Sequence, residues 1–367
     1  MDILWYDSRI LARVGFNPRK IQIPKRGRTM KKKFSLLMAV LMLAMLLSAC
    51  GGDTGSKGGE DGAVGGGSSA PADTSAPADT GSSDGSGASA VAQDTNTVAV
   101  GAVVIARDDV PEDDIYALTS AIFENIPTIT EQHAKGGELD LDFASSVTSV
   151  PYHPGAAKYF AEKGKEVASV KEGAGSGDSK ALTFGTGGES GTYYAFGGVL
   201  SSYISNNTGV SVTAVTSGGS KANIEDLAAG DIQLGFVQSD VMSYAFNGER
   251  LFDAKVENFS VVAALYMEQV QIVTTNPDIK SVADLAGKSV SIGDRGSGVW
   301  FNAVDVLGAY DIDPDSGISP VYQGFGDSAD SLKDKKIDAA FVVAGAPTTA
   351  IVDLATSKPV YLVSLDE

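Results

Sequence analysis

The sequence has very few residues of the types that form disulfides, metal centres and hydrolytic active sites. Its 367 residues include one cysteine and two histidines. A single cysteine excludes an internal disulfide, and no G-x-S-x-G motif or ligand-spaced cluster indicates a Ser-His-Asp site or a metal site. The net charge of −18 argues against a nucleic-acid partner. We therefore expect a protein that is not an enzyme and that needs no cofactor or metal.

The first 96 residues divide into three segments by composition. A basic cluster followed by a short apolar run predicts a signal peptide at 30–49, which makes 1–29 an upstream mis-start. The run ends in L-S-A-C, which resembles the lipobox of bacterial lipoproteins and implies lipidation of Cys50. An uncleaved anchor is the alternative. Residues 50–96 are rich in Gly, Ser, Ala and Asp, which is typical of a disordered tether. We expect an extracytoplasmic protein, lipid-anchored to the outer face of the bacterial cell membrane.

The run G-T-G-G-E-S-G-T-Y-Y at 185–194 links a predicted strand to a predicted helix. A glycine turn at such a junction directs backbone N–H groups and the positive end of the helix dipole at one point, which suits a carboxylate or a phosphate. Ser190 stands where a dinucleotide fingerprint needs its third glycine, and Thr192-Tyr193 replaces the Lys-Ser/Thr pair of a phosphate loop. These departures favour a small carboxylate over a nucleotide, and a purely structural turn remains the alternative.

Strands and helices alternate through 182–367, which predicts an α/β fold with mainly parallel sheets. Two separate strands are predicted at 261–266 and 271–275. Ligands of open α/β sheets bind beyond the carboxyl ends of the strands. Five predicted strand ends are rich in Gly, Ser, Thr and amides, and their recurrence predicts a binding site there. They begin at positions 185, 216, 238, 293 and 344.

Six motifs follow one another along 182–367, namely G-T-G-G-E-S-G-T-Y-Y, T-S-G-G-S-K-A-N-I, D-I-Q-L-G-F-V-Q-S-D, Y-M-E-Q-V-Q-I-V, G-S-G-V-W-F-N-A and F-V-V-A-G-A-P. In this order they resemble the TAXI family of solute receptors for TRAP transporters. The resemblance implies a two-lobe, periplasmic-binding-protein-like (type II) α/β fold with a hinge between the lobes. It further implies a monomeric receptor that captures a small carboxylate of the glutamate, glutamine or 2-oxoglutarate class and delivers it to the membrane subunits of a TRAP permease.

The order of the segments departs from that family. Residues 97–167 resemble its C-terminal part but come first here, so the chain looks circularly permuted, with 168–181 as a linker, 182–265 as lobe 1 and 266–367 as lobe 2. A gene rearrangement, or a fragment that pairs with another chain, is the alternative. If 97–106 is a strand that returns between the lobes, it should pair with residues 261–275 and form the hinge.

The strand ends and the resemblance together predict fifteen ligand-binding residues. Lobe 1 supplies backbone N–H groups, hydroxyls and a ring for one end of the ligand. It supplies polar side chains for the other end, where Asp240 suits an ammonium group. Lobe 2 closes over the ligand. The alternative function is a ligand sensor or surface interaction lipoprotein with a rearranged, non-transporting body. The predicted residues are Gly187, Ser190, Gly191, Thr192, Tyr193, Ser217, Gly219, Ser220, Gln238, Ser239, Asp240, Gln269, Ser297, Gly298 and Gly345.

Overall fold

The computed structural model describes residues 95–178 and 181–365. The predicted mis-start, signal peptide, lipidated Cys50 and almost all of the tether lie outside the described residues. Within the described ranges, no helix has both the length and the apolar character that a membrane crossing requires.

Nine strands and ten α-helices form the described part of the chain. The strands are β1 (Ala99–Arg107), β2 (Leu182–Gly185), β3 (Val212–Val215), β4 (Leu234–Gln238), β5 (Phe259–Thr274), β6 (Ser289–Ser291), β7 (Ser319–Val321), β8 (Ala339–Ala344) and β9 (Tyr361–Leu362). The helices are α1 (Glu112–Glu124), α2 (Ile126–Gln132), α3 (Leu141–Ala144), α4 (Pro154–Glu162), α5 (Thr192–Asn207), α6 (Ser220–Ala229), α7 (Ser239–Asn247), α8 (Gly298–Ala309), α9 (Phe325–Lys333) and α10 (Thr349–Ala355). Two 3-10 helices lie at Ala134–Glu138 and Val282–Leu285.

The sheet has parallel strands at its two ends and antiparallel strands at its centre. The strand order is β3-β2-β4-β1-β5-β8-β6-β7, and β9 pairs with β5. Strand β2 is parallel to β3 and β4, and β6 is parallel to β7 and β8. Strands β1 and β5 are antiparallel to all of their partners. The prediction of mainly parallel sheets is therefore right for the outer strands and wrong for the centre.

Strands β1 and β5 join two lobes. Their register runs from Ala99 opposite Gln269 to Arg107 opposite Phe259, so the predicted pairing of 97–106 with 261–275 is confirmed. Strand β5 is one continuous element of 16 residues, which corrects the prediction of two separate strands. The polar residues Glu268 and Gln269 interrupt the apolar pattern in the sequence, but the backbone pairing continues through them with β1 and β8.

Each lobe has its own core. Lobe 1 contains strands β2 to β4, the first half of β5 and helices α1 to α7, with Phe184 and Phe236 stacked at its centre. Lobe 2 contains the second half of β5, strands β6 to β9 and helices α8 to α10, and buries apolar side chains on both faces of its sheet. The predicted fold class, an α/β type II periplasmic-binding-protein-like fold with two lobes and a hinge, is confirmed.

The described part of the predicted linker is hydrogen-bonded along lobe 1. The Tyr152 N–H donates to the Ser169 carbonyl at 2.9 Å, and the Lys171 N–H donates to the Tyr152 carbonyl at 2.8 Å. Further on, the Glu112 N–H at the start of α1 donates to the Gly175 carbonyl at 3.1 Å. This stretch therefore anchors α1 and α4 to the lobe, and the exact boundaries of the segments stay a prediction.

Candidate ligand-binding site

A cavity of about 100 Å³ lies between the two lobes. Lobe 1 lines it with the loops before α5 and α6, and lobe 2 lines it with the loops before α8 and α9. Residues of β5 and β8 complete the wall. Since one buried water needs roughly 10–15 Å³, the cavity is large enough for a small organic molecule.

Four helices begin at the wall of this cavity. Their N-cap residues are Gly191, Gly219, Ser297 and Gly324, and all four line it. Only Ser297 caps its own helix, by accepting a hydrogen bond from the Trp300 N–H at 3.4 Å. The three glycines offer no side chain to the first-turn N–H groups of α5, α6 and α9. The positive ends of four helix dipoles therefore converge on one small volume.

Local sequence explains why the loops of lobe 1 reach this place. Gly219 has φ 94°, a conformation that strongly favours glycine. A side chain at Gly185 would come within 2.6 Å of the Asn223 carboxamide oxygen. The Asn223 amide nitrogen donates to the carbonyls of Thr186 at 2.9 Å and Phe236 at 2.7 Å. This side chain thus ties α6 to β4 and to the residue that follows β2.

One buried carboxyl group faces the cavity. Glu268, on β5, is 2% exposed, and its Oε2 accepts a hydrogen bond from the Tyr193 hydroxyl at 2.6 Å. The Tyr193 ring stacks on Phe236 with 4.6 Å between centroids, which fixes the hydroxyl. Burial raises the pKa of Glu268 to about 8, and the hydrogen bond from Tyr193 opposes that shift. The cavity therefore contains an acid that is mostly neutral at pH 7.

The remaining charge at the site is also acidic. Asp294 lines the cavity at an exposed position, and partial burial of its carboxyl, together with Asp327, raises its pKa. None of the described residues that line the cavity is a lysine or an arginine. The positive potential that an anion would meet there comes from the helix starts and not from basic side chains.

Two amide side chains at the cavity have unsatisfied polar atoms. Gln238 is 2% exposed, and its Oε1 is buried without a hydrogen-bond partner. The Nε2 of Gln323, from lobe 2, is also buried and unpaired. Buried polar groups are nearly always hydrogen-bonded in native proteins, so these two atoms indicate a missing partner. A polar ligand in the cavity would supply it.

The lobes touch each other directly beside the cavity. The Thr192 hydroxyl donates to the Gly345 carbonyl at 3.0 Å, and the Ala222 N–H donates to the Gly296 carbonyl at 3.0 Å. Since each bond joins lobe 1 to lobe 2, the structure represents a closed arrangement of the lobes.

A second lobe–lobe contact joins α7 and the following turn to α8, and we call it the α7–α8 contact. The Asn302 amide nitrogen donates to Asp240 Oδ2 at 2.6 Å, with both residues buried. Beside this pair, Asp305 accepts a hydrogen bond from the Tyr244 hydroxyl at 3.3 Å and forms an ion pair with Arg250 at 2.8 Å. Burial raises the pKa of Asp240 to about 6.

The structure brings eleven of the fifteen predicted residues to the cavity wall. They are Gly187, Ser190, Gly191, Thr192, Tyr193, Ser217, Gly219, Ser220, Gln238, Ser297 and Gly298. That any of them binds a ligand stays a prediction.

Four predicted residues, Ser239, Asp240, Gln269 and Gly345, do not line the cavity, and each bonds another part of the protein. The Ser239 hydroxyl accepts from the Gly101 N–H at 3.0 Å, and Gln269 Oε1 accepts from the Ala346 N–H at 3.1 Å. Asp240 belongs to the α7–α8 contact, and the Gly345 carbonyl accepts from Thr192.

Sequence reasoning missed several lining residues, among them Glu268, Asp294, Gln323, Gly324 and Phe325. Glu268 falls in the gap between the two strands that were predicted in place of β5. The start of α9 had a usable signal, because Q-G-F-G at 323–326 places a glycine between a strand and a helix, as in the first loop. The short strand β7 before it carries only three residues and gives a weak pattern.

No cluster of three or more His, Cys, Asp or Glu residues that could hold a metal occurs within 95–178 and 181–365. His153 caps α4 and lies buried, with its Nε2 3.0 Å from the Val110 carbonyl oxygen. Burial lowers the pKa of His153 to about 4, so this residue supports the fold of lobe 1 as a neutral side chain.

Comparison with known proteins finds one family and several solved structures. The NMT1-like family matches residues 85–164 and 184–367. The alkanesulfonate-binding protein SsuA from Xanthomonas axonopodis pv. citri, bound to MOPS, has 18% identity and a TM-score of 0.35, over 51% of this chain and 61% of that one. The aliphatic sulphonate binding protein SsuA from Escherichia coli has 20% identity and a TM-score of 0.32, over 51% and 60%. Holo ArgBP from T. maritima has 18% identity and a TM-score of 0.32, over 51% and 78%. The matched region thus spans less than two thirds of either SsuA protein.

Proposed function

We propose that this chain, which belongs to the NMT1-like family, is an extracytoplasmic solute receptor that captures a small carboxylate by hinge closure. The observation that carries the proposal is the convergence of four helix starts on the cavity, three of them with glycine N-caps. Free first-turn N–H groups and helix dipoles together form a site for a small anion.

These groups are strong enough to hold a carboxylate without an arginine. A hydrogen bond to a charged group contributes roughly 1.5–3 kcal/mol, and a helix dipole up to about 2 kcal/mol. The net charge of −18 opposes an approaching anion, but salt screens exposed charges beyond about 8–10 Å. Local donors therefore decide the affinity, and the unpaired Nε2 of Gln323 is one more such donor.

Closure follows from the position of the hinge. Strands β1 and β5 cross between the lobes as an antiparallel pair, and bending them separates the helix starts of lobe 1 from those of lobe 2. A ligand that bonds both lobes stabilises the closed arrangement. We further propose the finer assignment to the TAXI type, in which the closed receptor is anchored by a lipid at Cys50 and delivers its ligand to a TRAP permease.

We propose binding and not catalysis for this cavity. Its titratable lining groups within the described residues are Glu268, Asp294 and Tyr193. The Tyr193 hydroxyl is already bonded to Glu268, and Asp294 is exposed. This set offers no activated nucleophile with a base to orient it.

A thermal-shift series on the purified full chain tests the proposal, with glutamate, glutamine, 2-oxoglutarate and succinate as probes. A ligand at a hundred times its dissociation constant adds about 2.7 kcal/mol to the free energy of unfolding, and Tm rises accordingly. Gly188→Phe provides the site control, because Gly188 lines the cavity and a side chain there meets open space. Gly198→Phe is the matched variant on α5, where a side chain also meets open space but away from the cavity.

We expect at least one probe to raise Tm in the parent and in Gly198→Phe, and none to raise it in Gly188→Phe. A cooperative transition with no shift by any probe would contradict a small-carboxylate receptor and favour a sensor or surface interaction lipoprotein. Gene neighbourhood separates transport from sensing, since a TRAP permease gene beside this one supports delivery and a sensor kinase gene supports signalling.

A further inference from the structure

Glu268 is the buried group at the cavity that the proposed function leaves without a role. We infer that Glu268 carries a proton in the closed receptor and donates it in a hydrogen bond to the bound carboxylate, so that the receptor captures its anion together with one proton. This inference rests on the proposed function and names the chemistry of one contact in the same site.

The geometry assigns different roles to the two oxygens of Glu268. Its Oε2 accepts the hydrogen bond from the Tyr193 hydroxyl at 2.6 Å, as the carbonyl oxygen of a neutral carboxylic acid does. The other oxygen then carries the proton. Because the carboxyl group lies on the cavity wall, that O–H is available as a donor to a ligand.

Burial favours the neutral form of Glu268, and the charged and titratable groups around it act in both directions. Asp240, on α7, adds like charge, whereas Lys135, on the 3-10 helix, favours ionisation. The Lys135 ammonium is already paired with Glu138 at 2.7 Å. Burial and the nearby Glu268 raise the pKa values of two tyrosine hydroxyls, Tyr193 on α5 and Tyr266 on β5, so both stay neutral. Desolvation of the Glu268 carboxyl group is the largest cause of its raised pKa.

The ligand itself strengthens this preference. A carboxylate held at four helix starts brings negative charge beside Glu268, and two like charges at short range raise the pKa of the weaker acid. The pKa of Glu268, already about 8 in the closed arrangement without a ligand, thus rises further on binding. An ammonium group of the ligand at this place would have the opposite effect and would favour ionised Glu268. Proton uptake on binding therefore indicates a carboxylate beside Glu268, and proton release indicates an ammonium group.

Calorimetric titration of the full chain with 2-oxoglutarate between pH 7 and pH 9 tests the inference. This probe has no ammonium group and does not titrate in that range. The dissociation constant should rise about tenfold from pH 7 to pH 9, because the competent, protonated form becomes scarce above the pKa of the empty receptor. At pH 9, titrations in two buffers of different ionisation enthalpy should show close to one proton taken up per ligand bound.

Three variants sharpen the test. Glu268→Gln keeps a neutral donor that cannot ionise, so the dissociation constant should no longer depend on pH. Tyr193→Phe removes a hydrogen bond that lowers the pKa of Glu268, so ligand binding should begin to weaken at a higher pH. Asp240→Asn removes a like charge, so the weakening should persist and begin at lower pH. These opposite displacements are not expected from a merely structural role.

Each outcome decides something different. A dissociation constant that is constant from pH 7 to pH 9, with no proton uptake by the parent protein, would overturn the inference while the proposed function stood. Proton release, or binding of glutamate with no binding of 2-oxoglutarate, would overturn it in favour of an ammonium contact. Absence of binding by all four carboxylate probes at pH 7 would instead refute the proposed function. The parent titration does not depend on whether the variants fold.

Discussion

The cavity and the α7–α8 contact are neighbouring parts of one lobe–lobe interface, but they use different atoms. Around the cavity, the lobes present glycine N-caps and backbone groups, such as Gly191 and Gly324. At the α7–α8 contact, the lobes meet through side chains, with Asn302 bonded to Asp240 and Arg250 paired with Asp305. Backbone donors survive any substitution that keeps the chain path, whereas side-chain contacts can be removed one at a time.

This difference suggests a division of labour. In the proposed receptor, the backbone donors at the cavity would bind the ligand, and a variant would affect them mainly through steric hindrance. On the same proposal, the side chains of the α7–α8 contact would set how easily the lobes close. A substitution in the first region should therefore change ligand affinity, and one in the second should change both stability and affinity.

The largest expected effect is on the pH dependence of stability, because each region contains one buried acid. The folded pKa values of Glu268 and Asp240 are raised to about 8 and about 6, so their protons stabilise the folded state most at low pH. That stability is lost as pH rises through the folded pKa, at about 1.4 kcal/mol per pH unit for each group that differs by a full proton. Denaturant unfolding from pH 5 to pH 8 should show the decline.

The two acids act in different pH windows, which separates the two regions. Glu268→Gln should flatten the decline up to about pH 8, whereas Asp240→Asn should flatten it below about pH 6 and make the part due to Glu268 end at a lower pH. A decline that is identical in both variants and in the parent protein would show that neither acid is held neutral by the fold.

The next largest effect is expected for Gly298→Ala, at the start of α8. A methyl group there would lie 2.1 Å from Gln238 Oε1 and 2.8 Å from the Ser220 hydroxyl. Either the lobes stay apart or Gln238 moves into the cavity, and both weaken binding. We expect at least a hundredfold loss of affinity, or about 2.7 kcal/mol, measured by calorimetry with the best carboxylate probe.

Gly308→Ala on the same helix is the matched control, because a methyl group at position 308 meets open space. It should keep the parent affinity and gain a little helix stability. Equal losses in the two alanine variants would show that α8 acts through its stability and not through its start at the cavity.

Asn302→Ala tests the side-chain region. It leaves the buried Asp240 carboxyl without its donor from lobe 2, so the free energy of unfolding should fall by about 1–3 kcal/mol. Because the same bond joins the lobes, ligand affinity should fall as well. Asn247→Ala is the control, since the Asn247 amide bonds only within α7, to Ser243 at 3.0 Å. A loss of stability with unchanged affinity in Asn302→Ala would show that this contact does not control closure.

The backbone part of the site could be predicted from sequence, and the buried charges could not. Glycine between a strand and a helix start has a local pattern, so Gly187, Gly219 and Gly298 were found. Glu268 has no such pattern, since its role depends on a strand that continues through polar residues and on a tyrosine 75 positions earlier. Its environment is set by tertiary packing.

The same reason explains the four predicted residues that lie away from the cavity. Ser239 and Asp240 follow the end of β4 directly, as a ligand-binding residue does, but the first turn of α7 aims them at Gly101 and Asn302. A strand end tells which loop is near the ligand and not which side chain points to it. The hinge pairing of β1 with β5 was predictable because both segments are apolar, and because residues 97–167 resemble a part of the TAXI family although they come first here.

The smallest effect is expected for Arg250→Ala, which removes one of the remaining side-chain links of the α7–α8 contact. The Arg250 side chain is 48% exposed and that of Asp305 is 31% exposed, so water and salt screen the pair and its loss should cost only about 0.2–1 kcal/mol. Lys255→Ala, which breaks an exposed pair with Glu257 inside lobe 1, is the control for removing one surface charge. Denaturant unfolding and ligand titration at low and high salt measure both quantities. If Arg250→Ala reduced ligand affinity as much as Asn302→Ala does, closure would depend on the exposed charge pair. The useful contrast would then be between neutral and charged contacts, and not between backbone contacts and buried side-chain contacts.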